Sequence, residues 1–304
     1  VRLAIIDLGT NTCNLLIADA GKKRYDILYQ GKEGVKLGRA GIHQRRLTPE
    51  AFQRAEKALQ EHLQIIGRFQ ADEVVTIATS AVRDAVNRHD FAAFLFEKTG
   101  LKLKVISGEE EASLIFQGVK MAMGRVPDHS LVLDIGGGSN ELIIPFGNEI
   151  AWKRSFPLGM ARVTEQFPVS DPIKPEEAAA IGAWFEDGLA PLWDQFREET
   201  PVRLIGCSGA FDTLADLLDE TPPGTKFRIA QDIRLEDFDT LSTRVIGSTA
   251  AQREKMTGMD LLRLEMVVPS FILIKLILSL LNIKFITQAG FSLREGVLYN
   301  RINR

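Results

Sequence analysis

A chain of 304 residues, 45% hydrophobic and 25% charged, is long enough for two hydrophobic cores and has the make-up of a folded globular protein, which excludes disordered and low-complexity scaffolds. The net charge of −3 supplies no global basic field, so no nucleic-acid surface is expected, and any work on an anion must rely on local positive charge. Two distant cysteines, Cys13 and Cys207, and four histidines without a close pair point to reduced, buried thiols and away from disulfides or a zinc site.

In chain order, Arg2 to Ala18 (RLAIIDLGTNTCNLLIA) reads as strand, tight turn, strand. An apolar run ends in Asp7, a Gly and small polar residues follow, and a second apolar run closes the hairpin. The opening lacks the charged segment and apolar core of a leader, so we expect a cytoplasmic protein. Gly31 to Arg46 carries Lys32, Lys36, Arg39, Arg45 and Arg46 against one acid, Glu33. It is either a solvated loop or a basic lip that steers an anionic substrate. Thr48-Pro49-Glu50 is a helix start, with Thr48 as N-cap and Pro49 at the first helical position, and the helix runs to about Phe69. Strands are expected at Glu73 to Ala78 and Leu103 to Ile106, and helices at Asp90 to Lys98 and Glu109 to Met123.

Ser130 to Pro145 (SLVLDIGGGSNELIIP) echoes the first hairpin, with Asp134 in the place of Asp7. Beyond it we expect a helix from Lys174 to about Arg197, a strand at Arg203 to Ile205, and a helix from Gly209 to Leu218. An irregular stretch spans Thr221 to Arg228. Helices then continue to Leu281, followed by a strand at Phe285 to Thr287 and a last helix from Leu293. The apolar run Met266 to Leu281 is interrupted by Pro269 and Lys275 and falls short of a membrane span, so it is read as a buried helix and no membrane contact is expected. Two α/β halves, each opening on an Asp-bearing hairpin, predict a duplicated fold with a cleft between lobes. The lobes are residues 1–124 and 125–304, with the final helix placed either in the second lobe or back against the first.

The chemistry is expected at the turns. Gly9 and Gly136 to Gly138 let the backbone turn sharply and leave amide N–H groups free for an anion. Amides alone would bind phosphate and acids alone would repel it. Asp7 and Asp134 beside such turns, with Glu141 closing the second, suit a phosphate bridged by a hard divalent cation, Mg²⁺ or Mn²⁺. Gly206-Cys207-Ser208-Gly209-Ala210 is a third turn, between a strand and a helix N-terminus, another anion-binding arrangement. Arg83, in Thr79 to Arg83, could reach a phosphate through its planar fork. Glu109, Glu110 and Glu111 open a helix, where acids complement the dipole. One of the three could face the cleft and take a proton from an attacking water, and spacing alone does not choose among them.

The segments DLGTNTCNLLIA, ATSAVRDA, ISGEEEASLIFQGV, LVLDIGGGSNELI, FPLGMARVTEQF, IGCSGAFDTLAD and AGFSLREGVL together resemble the exopolyphosphatase / guanosine-pentaphosphate phosphohydrolase family of the actin, sugar-kinase and Hsp70 superfamily, in order along nearly the whole chain. The resemblance implies an α/β fold of two actin-like (ribonuclease H-like) lobes with the site between them. It implies release of terminal phosphate from inorganic polyphosphate by metal-assisted attack of water. The alternatives are removal of the 5′ γ-phosphate of guanosine 5′-triphosphate 3′-diphosphate (pppGpp), or a non-catalytic sensor of either compound. It picks Glu111 as the base and gives Asp134, Glu141 and Asp7 to the metal. It gives Thr10, Asn11, Arg83, Gly136, Gly137, Gly138, Ser139, Ser208 and Gly209 to the phosphates. Ser270 stands where the family often has Gly, beside the region where relatives of the fold hold adenosine. Relatives often form homodimers, and no interface is visible in the pattern.

Overall fold

The computed structural model describes residues 1–196 and 200–303. The chain forms β1 (Arg2–Leu8), β2 (Thr12–Gly21), β3 (Arg24–Gly34), α1 (Pro49–Phe69), β4 (Glu73–Ala78), α2 (Ser80–Arg83), α3 (Arg88–Thr99), β5 (Leu103–Val105) and α4 (Gly108–Met123). There follow β6 (Ser130–Ile135), β7 (Asn140–Phe146), β8 (Glu149–Phe156), α5 (Met160–Gln166), α6 (Pro175–Gly188), α7 (Ala190–Trp193), β9 (Arg203–Cys207) and α8 (Ser208–Asp219). The last elements are β10 (Ala230–Ile233), α9 (Leu235–Ile246), α10 (Ala250–Arg253), α11 (Val267–Leu280), β11 (Phe285–Ala289) and α12 (Leu293–Ile302).

The strands make two sheets, ordered β3-β2-β1-β4-β5 and β10-β11-β9-β6-β7-β8. In the first, β1 is antiparallel to β2 and parallel to β4. In the second, β6 is antiparallel to β7 and parallel to β9. The two hairpins therefore hold the same place in two sheets of the same plan, which is the structural form of the sequence echo. Their registers differ in one consequential way. Asp134 lies directly across from Glu141, whereas Asp7 lies across from Asn14. Like charges directly opposite on a ladder repel, so the second hairpin is built around a conflict that the first avoids.

Local signals account for several helix starts. Thr48 accepts a hydrogen bond from the Ala51 N–H, with Pro49 opening α1. Ser107 does the same for α4 through the Glu110 N–H. α1 buries Ala51, Ala55, Ala58, Leu59 and Ile66 in the core of the first sheet. α11 is buried along most of its length in the core of the second. No helix of the described residues is long and apolar enough to cross a membrane. Both cysteines are buried and free.

Five differences from the sequence reading have physical reasons. The helix expected from Lys174 breaks after Gly188, because Pro191 enters α7 in its first turn and cannot continue the hydrogen bonding of α6. The expected end of that helix, Arg197, lies outside the described residues. β3 covers the start of the supposed basic loop, and β8 and β10 were not expected. All three lie at sheet edges, where alternate residues face solvent and the apolar signal thins out. The third turn is also tighter than expected, since β9 runs through Cys207 and α8 begins at Ser208.

The last helix packs on β1, β2 and α4. α4 and α12 cross at glycines. A Cβ on Gly118 would collide with the Ser292 carbonyl, and one on Gly296 with the Leu114 carbonyl. Backbone atoms cannot yield as a flexible side chain does. Either Gly118→Ala or Gly296→Ala is therefore expected to cost about 1–3 kcal/mol and to lower Tm by several degrees. An unchanged melting curve for both would mean that this crossing is loosely packed.

Candidate active site

A cleft of about 430 Å³ is lined by residues of both hairpin turns, the start of α4 and the start of α8. Every site residue expected from the sequence lines it except Arg83. A neighbouring groove of the same volume shares Thr10, Asn11 and Met266 with it but contains none of Asp7, Glu111, Asp134 or Glu141. The candidate catalytic and metal-binding residues gather in the first.

The two turns are held alike. In the first, the Thr10 carbonyl accepts from Leu37 N–H, and the Asn11 carbonyl accepts from Val35 and Lys36 N–H. In the second, the Gly136 and Gly137 carbonyls accept from Met160 and Ala161 N–H. With their carbonyls drawn outward, the N–H groups of Thr10, Asn11, Gly137, Gly138 and Ser139 donate to no protein acceptor among the described residues. Gly138 packs close to Thr10 of the first turn and to Ser80 at the start of α2. A Cβ there would stand 2.5 Å from both Ser80 Oγ and Thr10 Oγ1.

Four carboxylates face these amides. Burial pushes Asp7 up to about 6, against a hydrogen bond from Asn14. Burial pushes Asp134 up to about 7, against a 2.5 Å hydrogen bond from Ser208. Glu141 also reaches about 7, through burial and then the charge of Asp134, although Ser155 donates to it at 2.6 Å. Glu111 is raised well above the ordinary range by burial and by Glu141, with Arg83 opposing. Among the three candidate glutamates only Glu111 is in the cleft. Glu109 is exposed near Lys153, and Glu110 pairs with Lys104.

Arg83 meets the cleft through two of its lining residues. Its Nη1 donates to Glu111 Oε2 at 2.6 Å and its Nη2 to Ser139 Oγ at 3.5 Å. Ser208 likewise serves Asp134. The basic lip is largely spent within the fold: Lys32 pairs with Asp260 at 2.5 Å, Lys36 lies 3.4 Å from Glu265, and Arg45 donates to the Asp84 carbonyl. Ser270 hydrogen-bonds its own helix at the Met266 carbonyl and does not line the cleft.

Sequence reasoning did not pick Ser80, Asp212, Arg263 or Arg294 as site residues, and Lys32 of the basic stretch also lines the cleft. Arg263 lies over Gly209, where any Cβ would strike its guanidinium, so the glycine of the third turn makes room for an arginine. Arg294 reaches the Leu15 carbonyl from the first turn of α12. Asp212 is pushed up to about 6 by burial and accepts from Gln288. Of these, only Arg263 lies outside every segment that the sequence singled out.

The buried Asp7 Oδ1 has no partner among the described residues, and three more buried acids stand nearby at the cost of mutual repulsion. This donor set fits a hard divalent cation. Among the described residues no three acid, histidine or cysteine side chains stand close enough to enclose an ion by themselves. Substrate oxygens and water would have to complete the shell, as Mg²⁺ commonly requires.

The profile of the Ppx/GppA phosphatase family matches residues 16–304. The chain belongs to the Ppx/GppA phosphatase family. A bifunctional 3-dehydroquinate synthase/phosphatase of Fusobacterium nucleatum is 31% identical over 93% of this chain, which spans 44% of that protein's length. Exopolyphosphatase 1 of Mycobacterium tuberculosis is 27% identical over 100% of this chain and 89% of its own. The crystal structure of an exopolyphosphatase from Cytophaga hutchinsonii is 36% identical, with a TM-score of 0.94, and covers 100% of this chain and 98% of that one. The two-sheet architecture is thus the actin-like, two-lobed α/β fold of the Ppx/GppA family.

The acid cluster of this Ppx/GppA protein has a pH signature. Asp7, Asp134 and Glu141 hold protons more tightly folded than unfolded. Their stabilising contribution is complete below about pH 4 and is lost as pH rises through 6 to 7. A cation bound there would offset the loss. We therefore expect Mg²⁺ to raise Tm more at pH 8 than at pH 5, relative to protein in chelator. An equal shift at both pH values would contradict a metal site built from these acids.

Proposed function

We propose that the chain is an exopolyphosphatase, releasing terminal phosphate from inorganic polyphosphate by direct attack of water. One observation carries the reading: the unpartnered amides of two turns face four buried carboxylates across one cleft. Amides without acids would fit a phosphate sensor, but a pure binder has no use for a buried base beside its ligand. The names of relatives matched over nearly their full length, the Cytophaga and Mycobacterium exopolyphosphatases, support the substrate class.

In this reading the amides of Gly137, Gly138, Ser139, Thr10 and Asn11 hold the oxygens of the terminal phosphate. Arg263 and Arg294 add positive charge. Asp134, Glu141 and Asp7 would hold Mg²⁺ or Mn²⁺, which when bound neutralises charge on the phosphoryl oxygens. Glu111 orients a water and accepts its proton as the water oxygen bonds to phosphorus in line with the departing bridge oxygen. The leaving group is a phosphate, so no strong general acid is needed. Arg83 holds Glu111 in place. Ser208 serves by orienting Asp134, and Gly209 by admitting Arg263. The lobe boundary is proposed at 124–128, between α4 and β6.

The test is phosphate release with Mg²⁺ on long-chain polyphosphate and on pppGpp in parallel. Release from polyphosphate is the expected result. Release from pppGpp alone would keep the mechanism and overturn the substrate. Binding of either without release would favour the sensor.

A further inference from the structure

We infer that Arg162 is a positioning residue for the second turn, holding the Gly138 carbonyl so that the turn's amides aim into the cleft, and that Asp84 of the opposite lobe locks Arg162 in that pose. The inference rests on the reading of Gly136–Ser139 as the phosphate cradle.

Three consecutive carbonyls of the turn are held by three consecutive residues. Met160 N–H donates to Gly136 O at 2.9 Å and Ala161 N–H to Gly137 O at 2.7 Å. Arg162 Nε donates to Gly138 O at 2.7 Å. In a planar trans peptide the carbonyl and the following N–H point in opposite directions. Fixing these carbonyls therefore fixes the N–H groups of Gly137, Gly138 and Ser139. The first two donors are backbone amides, which any non-proline residue supplies. The third is a side chain, so the pose of the Ser139 amide depends on the identity of residue 162.

The same guanidinium spans the lobes. Its Nη2 donates to Asp84 Oδ2 at 2.6 Å, and Arg162 is 13% exposed against 32% for Asp84. Asp84 follows α2, the segment that carries Arg83 and the Ser80 that Gly138 approaches. One arginine thus ties the glycine turn to the first-lobe wall it faces. Arg presents separate donors in a rigid fork, whereas Lys offers one point charge and could serve only one partner well. An interlobe ion pair of purely structural purpose would not need Nε on a cradle carbonyl.

The test compares binding and turnover. Tripolyphosphate affinity with Mg²⁺ is measured by calorimetry for Glu111→Gln and for the double variant Glu111→Gln, Arg162→Met. KM and kcat on polyphosphate are measured with Glu111 intact. Arg162→Met is expected to weaken binding and to raise KM by about tenfold, as for a lost charge-assisted hydrogen bond. Its Tm should stay within a few degrees, and Arg162→Lys should recover part of the loss. Asp84→Asn, which leaves Arg162 on Gly138, should give a smaller rise in KM and covers the case in which Arg162→Met fails to fold. A folded Arg162→Met with unchanged affinity and KM would overturn the inference, as would an unchanged KM in Asp84→Asn. If the chain binds tripolyphosphate but releases no phosphate, the hydrolase reading falls while the affinity comparison still decides the role of Arg162. If it binds none, both fall.

Discussion

Glu111→Gln is expected to lower phosphate release by about 10²–10⁴, the usual worth of a positioned general base, while binding of polyphosphate persists. The side chain is buried beside Glu141, so its carboxyl holds a proton more readily than an ordinary glutamate. That is the property wanted in a group that must take a proton from water near neutral pH. Glutamine keeps an oxygen that can accept from Arg83 and so keeps the fold. It also removes one negative charge from the cleft, which should leave anion binding equal or tighter. Steady-state release and equilibrium binding, measured on the same preparation, separate the two effects. Glu109→Gln and Glu110→Gln are the controls. Their surface ion pairs with Lys153 and Lys104 are worth about 0–1 kcal/mol, and their rates should stay close to wild type. A Glu111→Gln enzyme of near-normal rate would remove the base from the mechanism.

Asp134→Asn is expected to move activity and stability in opposite directions. Asp134 lies across the ladder from Glu141 and is pushed to about 7 by burial. In metal-free protein at pH 8 it is ionised in a place that favours its neutral form, a penalty of a few kcal/mol. Asparagine removes that charge and still accepts from Ser208 with its amide oxygen. The metal-free variant should therefore melt higher than wild type at pH 8, and the two should converge toward pH 4. Activity should fall by roughly 10³, because a cation that stabilises the transferring phosphoryl group contributes several kcal/mol. Melting curves in chelator across this pH range check the first part, and Mg²⁺-dependent release checks the second. A variant less stable than wild type at pH 8 would mean that Asp134 is not strained in the metal-free cleft.

The hairpins were legible in the sequence because each packs its whole signal into one short segment: an apolar run, an acid, a glycine turn, and a second apolar run. The choice of Glu111 was not legible from spacing. Acids at a helix start have a sufficient reason in the dipole, and only the packing of α4 shows which of them turns inward. β3 was hidden because it is an edge strand whose solvent-facing residues are mostly charged or polar. Arg263 was hidden for another reason: it lies outside every quoted motif, and tertiary packing alone brings it to the cleft. Asp212 and Arg294 lie inside quoted motifs, but nothing local marks them as the residues that line the cleft. Composition alone left the basic stretch open between a solvated loop and a lip, because it does not show that Lys32 and Lys36 meet acids of the other lobe.

The central claim is that this cleft transfers a terminal phosphoryl group to water. It is tested most directly by incubating the purified chain with Mg²⁺ and long-chain polyphosphate in ¹⁸O-enriched water, and measuring the released phosphate and its label together. Hydrolysis by direct attack predicts release that stops in chelator, with one solvent oxygen in each phosphate newly cut from the chain. No release with Mg²⁺ present, or release that requires an added acceptor and carries no label, would contradict it.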